Sequence, residues 1–221
     1  MKSRAKIIFI IMAPMFMLPM TGFAFDNGDF QYWNTESLSY KINKDWKIGI
    51  EEEFRFGDDA GNFYYQHSDA GITYSGLAEW IDLGMNYRFV FEKKKGDWKY
   101  ENRPHANVTL KHKLEGFKLS DRNRLEYRDK QDSKDGWRYR NKFTIKYPIK
   151  LENFEFSPYA ADEIFVDFIE EKLDRNRLYG GIDFKLLKNL SLAIFYLWQA
   201  SEKDSKWTSY NVIGTEAKLL F

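Results

Sequence analysis

Apolar and polar residues alternate along this chain in eleven short runs. Over 80–92, Ile81, Leu83, Met85, Tyr87, Phe89 and Phe91 fall on one side, and Trp80, Asp82, Asn86, Arg88 and Glu92 on the other. Period two predicts strands, because successive side chains leave a strand on opposite faces. The runs cover 30–41, 46–56, 63–75, 80–92, 98–112, 117–129, 137–147, 156–167, 174–187, 190–200 and 209–221. Polar, charged connections (57–62, 93–97, 129–136, 169–172, 201–206) alternate with tighter ones (43–45, 76–78, 115–116, 188–189, and the longer 148–155 opened by Pro148). Several runs reach the ~9–11 residues of a tilted membrane strand, beyond the ~5–6 usual in soluble sheets. The pattern predicts an all-β chain: an antiparallel transmembrane β-barrel of 10–12 strands, with short periplasmic turns, longer extracellular loops and a charged lumen. A soluble β-sandwich that buries its rings is the competing architecture. Bacterial single-chain barrels have even strand numbers, so eleven runs predict ten or twelve wall strands. The first run, whose faces separate poorly, is the one expected to pair in part or to turn into the lumen.

Composition narrows this picture. Charged residues make up 30% of the 221, and mean hydropathy is −0.60. Beyond residue 24 no stretch approaches the ~20 apolar residues of a spanning helix. Aromatics nevertheless reach 18%, which suits two belts of rings at membrane interfaces. There is no cysteine, so disulfides, thiolate chemistry and lipoprotein acylation are excluded. Lys2, Arg4 and Lys6, then the apolar stretch Ile7–Met20, then Thr21-Gly22-Phe23-Ala24, read as a signal peptide over 1–24, cleaved after Ala24. Its loss takes the formal net charge from +1 to −2. One domain, 25–221, is expected to follow, exported to the bacterial outer membrane.

Particular segments carry a resemblance. They are Asp29-Phe30-Gln31-Tyr32-Trp33-Asn34, the run Leu119 to Arg128, Trp137-Arg138-Tyr139-Arg140-Asn141, Asp162-Glu163-Ile164-Phe165 and Arg175-Asn176-Arg177-Leu178-Tyr179. In this order and spacing the chain resembles the domain-of-unknown-function 2490 family of predicted bacterial outer-membrane proteins, over nearly its whole mature length. The resemblance implies a barrel and the outer membrane, and no established activity. The final Phe221, with Leu219 and Ile213 on its face, looks like the signal read by the barrel-assembly machinery.

The two faces give different chemistry. Trp98, Tyr100, Ala106, Val108 and Leu110, and Trp137, Tyr139, Phe143, Ile145 and Tyr147, are expected to face outer-membrane lipid. Asp162 and Glu163 are adjacent, so a regular strand turns one to lipid; a bulge, a rim position or protonation is expected there. The lumen side is rich in arginine: Arg103, Arg122, Arg124, Arg138, Arg140, Arg175 and Arg177. Residues two apart stack on one face, so these form guanidinium ladders. On one reading they guide an anionic solute through a small pore. On the other they pair with Glu51, Glu53, Asp82, Glu101, Glu126 and Glu216 and fill the lumen of a structural barrel. A barrel-borne hydrolase of lipid or surface peptide is the alternative class, with His67 and Asp69 two apart on one face as base and orienter, although Ser68 points the other way. His105 and His112 suit lumen packing and a turn. No metal set and no phosphate-binding glycine loop is present, so no cofactor is expected. Compartment argues against nucleic acid as a partner.

Overall fold

The computed structural model describes residues 27–221 except 153, 204 and 205, so the signal segment lies outside the described residues. The strands are β1 (Phe30–Lys41), β2 (Trp46–Gly57), β3 (Asn62–Ala78), β4 (Ile81–Lys94), β5 (Asp97–Leu114), β6 (Phe117–Lys130), β7 (Gly136–Lys146), β8 (Ile149–Leu151), β9 (Phe154–Asp167), β10 (Lys172–Lys185), β11 (Leu190–Lys203) and β12 (Lys206–Leu220). Consecutive strands pair antiparallel, with one exception. β7 and β8 both pair with β9, as a single strand broken at Tyr147-Pro148. Pro148 has no N–H to give a ladder, while the Tyr147 N–H keeps its bond to the Pro158 carbonyl at 3.0 Å.

The sheet closes on itself through β1 and β12, which run parallel from Phe30↔Asn211 to Ser39↔Leu220. The wall therefore has eleven strands, and the expectation of an even number does not hold. In an up-and-down wall with an odd count, the first and last strands point the same way, so the closing ladder must be parallel. The first run is a full member of this wall, paired along its length with β2 as well as β12. Two rims result. The N-terminal rim carries the connections 58–61, 95–96, 131–135 and 168–171; the C-terminal rim carries 42–45, 79–80, 115–116, 186–189 and Phe221. The expected contrast between long and short connections is weaker than the sequence suggests, because the charged ends of the strands continue the ladders. Lys95-Gly96 and Glu115-Gly116 have positive φ at both residues, the two-residue turn that matches strand twist.

The side chains sort inside out relative to a water-soluble protein. The face of β4 predicted to be apolar points outward, and Met85, at 71% exposure, is the most open of its residues. The outward sets predicted for β5 and β7 are likewise exposed, apart from the half-buried Tyr139. Among the described residues no second sheet covers these rings, so the sandwich is excluded. An apolar surface of this extent marks contact with something other than water. The interior is mostly charged, with an apolar cluster of Trp33, Phe195, Leu197 and Val212 and a smaller one of Tyr64, Tyr65 and Val90. Phe195 lies over Gly214, where an added Cβ would fall inside its ring. Gly214→Val is expected to lower stability by about 1–3 kcal/mol through overpacking, read as an earlier urea midpoint of the folded barrel.

The adjacent acids are resolved without a bulge. Asp162 pairs in regular register with Phe143 and Leu178, and the irregularity of this region lies instead between Leu173 and Arg175. Glu163 faces the lumen and Asp162 the outside. The outward carboxylate accepts a 2.6 Å hydrogen bond from Asn176 Nδ2, which supplies locally what hydrocarbon cannot.

Candidate functional site: the charged lumen

Alternation places every second residue of each strand in the lumen, and strand register decides which charges meet. Glu101 accepts both forks of Arg103, at 2.6 and 3.0 Å, and both of Arg128, also at 2.6 and 3.0 Å. Glu126, fully buried on β6, accepts from Arg138 and Arg140 of β7. Glu163 on β9 accepts from Arg140 at 2.7 Å, Arg122 at 2.8 Å and the Tyr179 hydroxyl at 3.0 Å, with Arg177 at 3.6 Å. Arg88 pairs with Asp69 at 2.7 Å and Glu51 at 3.2 Å. Such shared, charge-assisted bonds are stronger than neutral ones and fix the planar guanidinium groups.

Aromatic rings complete the lattice. Arg55 lies between Trp33, 3.7 Å from its ring, and Tyr65, 4.1 Å away. Phe165, buried at the centre, has Arg138, Arg140, Arg175 and Arg177 around it at 4.5–5.4 Å. Cations over ring faces are favourable, more so where water is excluded. This lattice occupies the half of the lumen nearer the N-terminal rim.

The other half is open. Cavities of about 890 and 600 Å³ share Thr109, Arg122, Glu216 and Lys218 in their walls and form one vestibule that opens at the C-terminal rim. Its wall is basic: among the described residues eleven lysines and arginines, Lys111, Lys142 and Lys146 among them, face six carboxylates. Lys111 bonds Asp82 at 2.7 Å, Lys146 bonds Asp183, and Lys218 bonds Glu216 at 2.8 Å. Lys142 lies 3.8 Å over the Tyr179 ring.

The seven arginines singled out from sequence thus all face the lumen but divide by depth. Arg103, Arg138, Arg140 and Arg177 are buried in the lattice; Arg122 bridges lattice and vestibule. Arg124 is buried, with Asn107 Oδ1 at 2.7 Å, and Arg175 bonds Ser201 Oγ at 3.1 Å. Among the described residues, neither Arg124 nor Arg175 has a carboxylate within ion-pair distance. Of the proposed acidic partners, Glu101, Glu126, Glu51 and Glu53 do pair with arginine or histidine, whereas Asp82 and Glu216 hold lysines.

Sequence reasoning missed Arg55 as a lattice member and Trp33 and Phe165 as interior rings; Arg88 and Arg128, which it set on the polar faces of their runs, join the lattice beside the seven named arginines. Each sits at the lumen parity of its strand, which was the available signal. His67 is buried inside, within 3.2 Å of the Tyr65 hydroxyl and of Glu51. Asp69 is engaged by Arg88 and lies 3.6 Å from His105 Nε2. Ser68 faces outward and donates to Glu52 at 2.9 Å. His67 and Ser68 are therefore on opposite sides of the wall. Among the described residues no group of three or more His, Asp or Glu could hold a metal ion.

A family model described as "Protein of unknown function (DUF2490)" matches residues 30–210. A search of curated proteins finds no match. Among solved structures, LpxR from Salmonella typhimurium is similar in fold, with a TM-score of 0.54 at 7% identity, covering 84% of this chain and 87% of that one. At this identity the likeness concerns the fold alone.

Proposed function

We infer that the chain, which belongs to the DUF2490 family of proteins of unknown function, serves as a closed outer-membrane barrel: a structural barrel with a basic vestibule for anionic solutes, rather than an open pore. One observation carries this reading. Buried, shared ion pairs fill the lumen across its N-terminal half, while the C-terminal half is open and lined by lysine. Charged loops at the N-terminal rim suit the cell surface, which puts the vestibule on the periplasmic side. The exposed apolar wall suits lipid. Phe221, outward-facing and bonded to β1 through Ser39 and Lys41, suits recognition of the last strand by the assembly machinery.

Single-channel recording in planar bilayers tests the reading. The folded protein is expected to pass no steady current. The double variant Glu126→Ser/Arg138→Ser, which removes a lattice pair together, is expected to open an anion-selective path. A steady current through the unaltered protein, or cation selectivity in the opened variant, overturns it.

A further inference from the structure

Within the lattice lies a small cavity of about 50 Å³. Among the described residues eight arginines line it, and Glu92 is the one carboxylate on its wall. We propose that this cavity is a binding site for one resident oxyanion of phosphate or sulfate size.

The carboxylates that answer these arginines stand behind them: Glu53 serves Arg55, Asp69 and Glu51 serve Arg88, and the others are shared. Glu101 serves Arg103 and Arg128, and Glu126 serves Arg138 and Arg140. Glu163 is divided among Arg140, Arg177 and, from outside the cavity, Arg122. Glu92 itself pairs with Lys94 at 3.0 Å. Two groups on the wall stay under-supplied. Arg175 has a serine hydroxyl as its hydrogen-bond partner and no carboxylate. Arg140, 7% exposed, has its Nε buried without an acceptor.

A guanidinium offers five donors and no acceptor, so a space walled by guanidiniums asks for acceptors carrying negative charge. Water supplies acceptors without charge and leaves like charges facing each other where the dielectric is low. A halide supplies charge at a single point. A tetrahedral oxyanion supplies both, with several oxygens for forked contacts. Its size fits: one water needs roughly 10–15 Å³ of such volume, so the cavity holds a few atoms and excludes a lipid or a nucleotide. The site shares Arg88 alone with the vestibule wall and does not depend on whether the barrel conducts.

The test uses the mature barrel refolded in detergent without phosphate or sulfate, at ionic strength fixed with a salt of a bulky organic anion. Inorganic phosphate is then titrated by calorimetry and by thermal unfolding. The expected results are one phosphate per chain, a raised unfolding midpoint, and at least ~10-fold weaker binding in Arg175→Gln, a change that strands no carboxylate. The vestibule variant Lys146→Gln is expected to bind as the unaltered protein does. No stoichiometric binding means that water fills the cavity, and overturns the proposal. Weakening by Lys146→Gln but not by Arg175→Gln places the anion in the vestibule and overturns it equally. Should Arg175→Gln fail to fold, the phosphorus NMR spectrum of the unaltered protein decides: a bound line in slow exchange supports the site, and free phosphate alone refutes it.

Discussion

Glu163→Ala is expected to cost the folded barrel about 3–5 kcal/mol, the range for removing one partner from a buried ion pair. The reason is what the carboxylate leaves behind. Arg140 and Arg122 lose bonds of 2.7 and 2.8 Å, Arg177 loses its ion pair at 3.6 Å, and the Tyr179 hydroxyl loses its acceptor. Glu163 is 1% exposed, so little water reaches the stranded guanidiniums. Equilibrium unfolding in urea with lipid present reads the effect. Glu155→Ala on the same strand is the contrast, because its bond to Lys185 is exposed and surface pairs contribute about 0–1 kcal/mol. Equal effects at the two positions would show that the lattice does not hold the barrel together.

Ile194→Lys is expected to cost about 2–4 kcal/mol in a bilayer, the range for a cation on the lipid face of a barrel wall near the midplane. Ile194 points outward from β11, opposite Ile182 and Thr215 and between Leu192 and Tyr196 on its own face. In a water-soluble sheet an exposed Ile-to-Lys change usually stays within about 0.5 kcal/mol. Unfolding of the variant reconstituted in lipid therefore separates the two environments. A neutral result there would remove the membrane from the account.

Both predictions rest on face assignments that the sequence already carried. Period two separated Ile81, Leu83 and Met85 from Asp82, Asn86 and Arg88, and the same parity put all seven named arginines inside. What parity cannot supply is which inward residue meets which. Glu163 became the shared acceptor because register sets β9 beside β7 and β10; from sequence, it and Asp162 were interchangeable. Ring type misled as well. Trp33 and Phe165 look like belt residues, and only their place on the wall shows that they separate arginines inside. The even strand count failed for a related reason: it is a regularity of barrels whose ends meet antiparallel, and nothing in a strand's own residues specifies its last neighbour. The depth at which the lumen closes depends on side-chain reach from all eleven strands, which no single run contains.

The β1–β12 seam has a consequence for assembly. Every other ladder joins strands that are close in sequence, so each hairpin can form as its turn forms. The seam joins Phe30 to Asn211, and bringing such distant segments together carries the largest loop-closure entropy in the wall. Its slanted parallel ladder also returns slightly less per residue than its antiparallel neighbours. Closure at this seam is therefore the expected slow, late event of folding.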